Sequence, residues 1–311
     1  MGSTPSTPRL SRLPAMFKST GAPVVDSFDP RKYHAAENAP RGNPKRVMTR
    51  SDLHSFGKCP RKWVNGVPRE ASTALAWGSL FDCSVITSWL MDTHYIVRPD
   101  TYPSTDAKTK VMTEKPWHGA STWCKEWMES VEASGRTVIS ADDWSDVKAA
   151  TARLLNEPEL GPYVLSCRKS VLATAHWHDE TGIIVPVKIL VDLVPPDDSL
   201  ADLKTTESAD PESWERSVSK WGYDYQAAMY LDVWNAATGE NRTVFRHVVS
   251  ESKPPYEPAG RQLSEEFLRI GRAKYQRDMR RYCECLATGE WPGYNSGWLL
   301  TEPKPWMMTE E

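Results

Sequence analysis

Apolar positions run almost unbroken through Ile189-Leu190-Val191-Asp192-Leu193-Val194 and resume, after Pro195-Pro196-Asp197-Asp198, in Leu200-Ala201-Asp202-Leu203-Lys204-Thr205-Thr206. Short apolar runs bounded by turn residues predict two strands joined by a tight turn. The same pattern predicts strands over 170–178 and 183–194, with Glu180-Thr181-Gly182 as their turn, and another near 242–250. Helical spacing appears at about 76–91, 118–133 and 141–156. It also runs through 212–236, where Trp214, Val218, Trp221, Tyr225, Ala228 and Leu231 recur near helical spacing. A long helix is expected over 264–287: Ser264 starts it, Glu265 and Glu266 suit its first turn, and Gly289 follows its end. Its basic residues Arg269, Arg272, Arg277, Arg280 and Arg281 read as a solvated face. Residues 1–46 are rich in Ser, Thr, Pro and Arg with little periodicity, and are expected to form a flexible basic arm ahead of one domain over 47–311.

Composition changes the picture little. A chain of 311 residues can bury a large core. No apolar run approaches the ~20 residues that span a bilayer, so no membrane partner is expected. The N-terminus shows no apolar leader segment, and a cytoplasmic protein is expected. Charge is unevenly spread: the formal net is −3, yet residues 1–70 carry +8 and the remainder −11. The six cysteines include no Cys-x-x-Cys pair and read as reduced thiols.

The candidate chemistry lies at the predicted hairpin. Side chains alternate across a strand, so Asp202 and Lys204 share a face. Asp192 stands in an apolar strand, where an unpaired carboxylate is costly to bury. Two carboxylates converging there make a hard oxygen site for Mg2+ or Mn2+, with the Leu203 carbonyl as a neutral ligand. A lysine beside them can position a water and offset phosphate charge. On the following helix Gln226 and Tyr230, four apart, share a face. A helix expected to start at Ser51, with Thr49 and Ser51 able to cap it, Arg50 beside it and Arg61 and Lys62 further on, makes a candidate anion site. An ordinary cap on a basic helix is the simpler reading of that segment.

Asp192, then Asp202-Leu203-Lys204-Thr205-Thr206, then Gln226-Ala227-Ala228-Met229-Tyr230, resembles the PD-(D/E)xK nuclease superfamily. The resemblance is to its RecB-like branch, and there to RecE-like exonucleases of the exonuclease VIII type from phages and prophages. Ser51–Trp63, Ala76-Trp77-Gly78-Ser79-Leu80-Phe81-Asp82-Cys83 and Cys285-Leu286-Ala287-Thr288-Gly289-Glu290-Trp291-Pro292 resemble further segments of that group, so the likeness runs in order over residues 47–295. Two departures stand out. Asp82 takes the place of a family histidine that ligates metal, and Val191 takes that of a proline. The resemblance implies an α/β restriction-endonuclease-like core with a central mixed β-sheet flanked by helices. It implies Mg2+-dependent exonucleolysis of linear double-stranded DNA, 5′ to 3′, with 3′ overhangs left for single-strand annealing. Asp192, Asp202, Leu203 and Asp82 would hold metal. Asp192, Asp202, Lys204, Gln226 and Tyr230 would form the catalytic set. Thr49, Arg50, Ser51, Arg61 and Lys62 would hold the 5′-phosphate. A ring of three or four copies and a single-strand annealing partner in a bacterial or phage-infected host are implied too. Cys59, Cys283 and Cys285 do not match the spacing of the iron–sulfur cluster of some relatives, and no cluster is expected. A Cas4-like or endonucleolytic enzyme, or an end-binding protein with a weakened site, are the rival readings.

Overall fold

The computed structural model describes residues 17–35, 38–66, 73–106, 108–294 and 297–303. The chain enters through β1 (Phe17–Ser19), α1 (Pro30–Ala35), α2 (Arg50–Lys58) and α3 (Pro60–Val64). Next come α4 (Thr73–Ile86), a 3-10 turn at Ser88–Leu90 and α5 (Met91–His94). A peripheral unit holds β2 (Tyr95–Val97), β3 (Thr101–Thr105), β4 (Met112–Pro116), α6 (Thr122–Ala133) and β5 (Thr137–Ile139). Helices α7 (Ala141–Leu155) and α8 (Leu160–Ser166) lead into β6 (Arg168–His178), β7 (Ile184–Val194) and β8 (Ser199–Thr206). The chain closes with α9 (Pro211–Trp221), α10 (Tyr223–Thr238), β9 (Val244–Glu251), β10 (Pro258–Gln262) and α11 (Glu265–Thr288).

Six of the described strands make one mixed sheet in the order β1-β6-β7-β8-β9-β10. Only β8 and β9 pair in parallel; the other neighbours are antiparallel. A parallel pair needs a crossover, and α9 and α10 supply it. The β6–β7 hairpin shows why the sheet is buried. Val171, Ala173, Ala175 and Trp177 on one strand and Val185, Val187, Ile189 and Val191 on the other all enter one core, shared with α10 and α11. The opposite face takes Leu193, Ala201, Leu203 and Val248 into a second core with Leu80 and Phe81 of α4 and Val147, Ala150 and Leu154 of α7. Helices on both faces of a mixed central sheet are the architecture expected above.

Helix ends follow local chemistry. Ser264 accepts from the Phe267 amide at 3.3 Å and starts α11, which stops at Gly289 with a φ of 72°. Asp210 caps α9 through the Ser213 amide at 2.9 Å, with Pro211 in the first turn.

Two expectations need correction. The helix predicted over 212–236 is two helices, because Gly222 adopts a left-handed backbone (φ 68°) that ends α9 and turns the chain into α10. The arm predicted over residues 1–46 is anchored to the fold at several points where it is described, while residues 1–16, 36 and 37 lie outside the described residues. Strand β1 pairs with β6 in the main sheet, and its Phe17 is buried against Trp177 and Tyr275. Arg31 of α1 donates to the His94 carbonyl at 2.8 Å and to the Gly135 carbonyl and Thr137 Oγ1 at 2.9 Å, tying the segment to the peripheral unit. Phe17, Val24, Tyr33 and Met48 are scattered apolar anchors without a period, so they leave no pattern to read.

Candidate active site

Strands β7 and β8 diverge on leaving their connecting turn; the register between them is the single pair Leu193↔Ala201. Asp192 and Asp202 stand next to that pair, at the mouth of the fork. Where the ladder opens, the Leu203 amide loses its strand partner and donates to Asp192 Oδ2 at 3.0 Å. The carboxylate therefore substitutes for a backbone acceptor while keeping its second oxygen. Asp202 is 3% exposed. Its Oδ2 accepts from the Lys204 ammonium, and its Oδ1 accepts from Gln226 Nε2 at 2.6 Å. Gln226 sits in the first turns of α10, and the Gly222 break aims that turn at the sheet.

Helix α4 brings the third acid. Gly78 lets it close on β8: a Cβ there would lie 3.1 Å from Thr205 Oγ1. One turn later Asp82 faces a cavity of about 210 Å³ whose wall includes Thr49, Arg50, Ser51, Asp192 and Tyr230.

The electrostatics are those of crowded carboxylates. Burial, then the Asp202 charge, pushes the Asp82 carboxyl up to about 7, with Lys204 working the other way. Burial also raises Asp192 well above the carboxylate range, reinforced by Asp202 and Asp82. Burial disfavours the Asp202 charge as well, but the Lys204 ammonium outweighs it and holds that carboxyl low. Lys204 stays protonated: burial opposes its charge, and Asp202 and Asp192 more than compensate. Burial raises the Tyr230 phenol far above its ordinary value, so it remains a neutral hydroxyl.

The structure thus gathers Asp82, Asp192, Asp202, Lys204, Gln226 and Tyr230 around one fork, with Leu203 between the acids. Thr49, Arg50 and Ser51 form part of the same cavity wall. Thr49 is the cap, accepting from the Asp52 amide at 3.1 Å, so α2 begins at Arg50. Arg50 has a second duty: its Nη2 donates to the carbonyls of Trp221 and Gly222, each at 2.6 Å, clamping α2 to the α9–α10 break. Arg61 and Lys62 are not among the residues lining this cavity. They sit on α3 against the C-terminal segment, where the Arg61 amide donates to the Pro292 carbonyl at 3.2 Å and Lys62 lies over the Tyr294 ring at 5.0 Å.

Sequence reasoning missed His247. It lies opposite Asp202 in the parallel register, is fully buried, and has no hydrogen-bond partner for either ring nitrogen. Trp214, Tyr223 and Phe245 surround it at 5.1–5.5 Å between ring centroids. Burial lowers it to about 3, against the pull of Asp202, so it is neutral. Tyr33 and His34 of α1, which also line the cavity, were missed with the rest of that segment.

Among the described residues no three His, Cys, Asp or Glu side chains converge as a ready metal cage. The donor chemistry still fits a hard divalent cation. Three carboxylates face one lysine, and a 2+ ion would bring that set to neutrality. Mg2+ characteristically takes only one or two protein carboxylates and fills its remaining positions with water and substrate phosphate oxygens. The six cysteines are buried free thiols.

A family model described as "PDDEXK-like domain of unknown function (DUF3799)" matches residues 48–298. Among solved structures, a protein from Eubacterium rectale described as a candidate exonuclease superposes with a TM-score of 0.55 at 17% identity, over 90% of this chain and 97% of that one. That likeness is one of fold. The structure of SSO0001 aligns over 77% of this chain and 85% of that one at 10% identity, with a TM-score of 0.27, too low to carry an argument. No curated protein matches the chain.

Proposed function

The chain belongs to the PDDEXK-like family (DUF3799), and we propose that it is a divalent-metal-dependent nuclease that digests linear duplex DNA from its ends. One observation carries this reading: Asp202 is buried at a strand fork, gripped by Lys204 on one oxygen and Gln226 on the other, with Asp192 and Asp82 close enough that its charge raises both their carboxyls. Asp192, Asp202 and Asp82, with the Leu203 carbonyl, would hold Mg2+. When bound, such a cation supplies Lewis-acid activation of the phosphate and of the attacking water.

The chain's own residues do the rest. Gln226 fixes the rotamer of Asp202. Lys204, held protonated by two acids, positions the water and offsets charge on the phosphate oxygens. Tyr230, neutral and half facing the cavity, donates to a phosphate oxygen. Thr49, Arg50 and Ser51 present the amide-rich start of α2 beside the acids, which suits a terminal 5′-phosphate. The RecE-like likeness of the sequence motifs supports 5′ to 3′ polarity. A ring of three or four copies, a single-strand annealing partner and a cytoplasmic setting go with that likeness alone.

The test incubates the chain with linear or circular duplex, in Mg2+ or EDTA. Mg2+-dependent loss of linear DNA alone, abolished in Asp202→Ala, supports the exonuclease; cutting of circles moves the reading to an endonuclease. Binding without cutting removes the enzyme.

A further inference from the structure

A second cavity, of about 200 Å³, lies further along α2. His54, Gly57 and Lys58 of α2 face Lys274, Arg277 and Asp278 of α11 across it, and Ser219, Gly222 and Tyr225 close its floor. It adjoins the catalytic cavity through Arg50, which walls the latter and binds the Gly222 carbonyl.

The charges there are sorted. Lys274 Nζ donates to the buried Asp224 Oδ2 at 2.6 Å, and Arg277 pairs with Asp278 at 2.8 Å while staying 68% exposed. Those two acids are thereby neutralised. Burial holds the Asp278 carboxyl above its ordinary value, although Arg277, the Tyr225 hydroxyl and Arg281 pull it down. Lys58 is exposed and makes no ion pair among the described residues. The hydroxyl of Tyr225, a residue 2% exposed, faces the Asp278 carboxylate from the cavity floor. The cavity wall carries Lys58, Lys274 and Arg277 against one carboxylate, Asp278, and that surplus of cationic side chains fits an oxyanion. Helix α2 lies along this part of α11 and adds its own lysine.

We propose that this cavity binds a backbone phosphate of the nucleic acid whose end occupies the catalytic cavity, with Lys58, Lys274 and Arg277 as its cations. The proposal rests on the nuclease reading. Two phosphate grips spaced along α2 fix the strand's direction before it reaches the fork, so the second grip is a positioning element for the duplex.

Each phosphate neutralised contributes about 0.9 to the slope of log affinity against log salt. The test uses the full chain with Asp202→Asn to prevent cleavage, and follows binding of a labelled duplex across a KCl series. Adding Lys58→Ala is expected to lower affinity for all sequences alike and to reduce that slope by about 1; Lys58→Arg restores it. Lys274 is left intact because it neutralises Asp224, and Arg277→Ala serves as the second variant. An unchanged slope in both variants overturns the site while leaving the nuclease reading intact. A wild-type chain that neither binds nor cuts duplex in Mg2+ overturns both. Inorganic phosphate alone distinguishes a free-anion site: if it raises the melting temperature through Lys58 while the DNA slope is unchanged, the backbone assignment is wrong.

Discussion

Gln226 Nε2 donates to Asp202 Oδ1 at 2.6 Å across 24 residues of sequence. The amide sets the carboxylate plane while Lys204 holds the other oxygen. Outer partners of this kind typically govern affinity or activity by about 10–100-fold when removed. Gln226→Ala is expected to lower Mg2+-dependent DNA degradation by that order with the melting temperature little changed. Gln226→Glu sets a second carboxylate against Asp202 and is expected to be worse. Equal activity in wild type and Gln226→Ala would show that the amide does not orient the acid.

Lys204 balances the Asp202 charge and, in the proposed reaction, positions the attacking water. Removing it leaves Asp202 buried without its cation, a change that costs about 3–5 kcal/mol for a buried pair. Lys204→Ala is expected to lose at least ~10²-fold in cleavage rate and to melt earlier. Its duplex binding, read by anisotropy, should survive, because the α2 grips are untouched. Lost binding would mean that the lysine holds substrate rather than assisting the reaction.

The buried His247 ties stability to pH. Its folded pKa is lowered from 6.5 to about 3, chiefly by burial. Between those values the unfolded chain binds a proton that the folded chain does not. Stability is therefore complete above the unfolded value and declines as pH falls through the window, by about 1.4 kcal/mol per pH unit at full effect. His247→Phe, which suits the Trp214–Tyr223–Phe245 surroundings, should flatten urea-derived stability between pH 4 and about 6.5 in EDTA. A curve as steep as wild type would place the acid sensitivity elsewhere.

Gly271 marks the tightest approach of α11 to α10. A Cβ there would meet the Asp224 carbonyl oxygen at 2.0 Å and the Tyr225 amide at 2.9 Å. Backbone cannot yield as a side-chain tip can, so Gly271→Ala should cost about 3 kcal/mol or more. Because Asp224 and Tyr225 open the turn that carries Gln226, activity should fall along with the melting temperature. Unchanged stability would mean that the two helices separate without cost.

The hairpin acids, Lys204 and Gln226 were legible because their signals are local. An acid in an apolar strand, two residues on one strand face and four-residue helical spacing all survive without tertiary information. Asp82 was found only through its place after Gly78. His247 was not found because its meaning comes from the parallel β8–β9 register, set by a crossover of two helices. The second use of Arg50 depends on carbonyls freed at Gly222, a break that a pure period count passes over. The anchoring of residues 17–35 and 38–48 was hidden for a different reason: single apolar anchors spaced far apart carry no period at all.

Three residues of β1 have an influence out of proportion to their length. They occupy the free edge of β6, an eleven-residue strand with Trp177 at its inner face. A chain begun at residue 47 would leave that long edge open to another copy of itself, inviting strand-to-strand association in place of solubility. The short β1 strand is thus a safeguard against edge-to-edge pairing of β6 between copies.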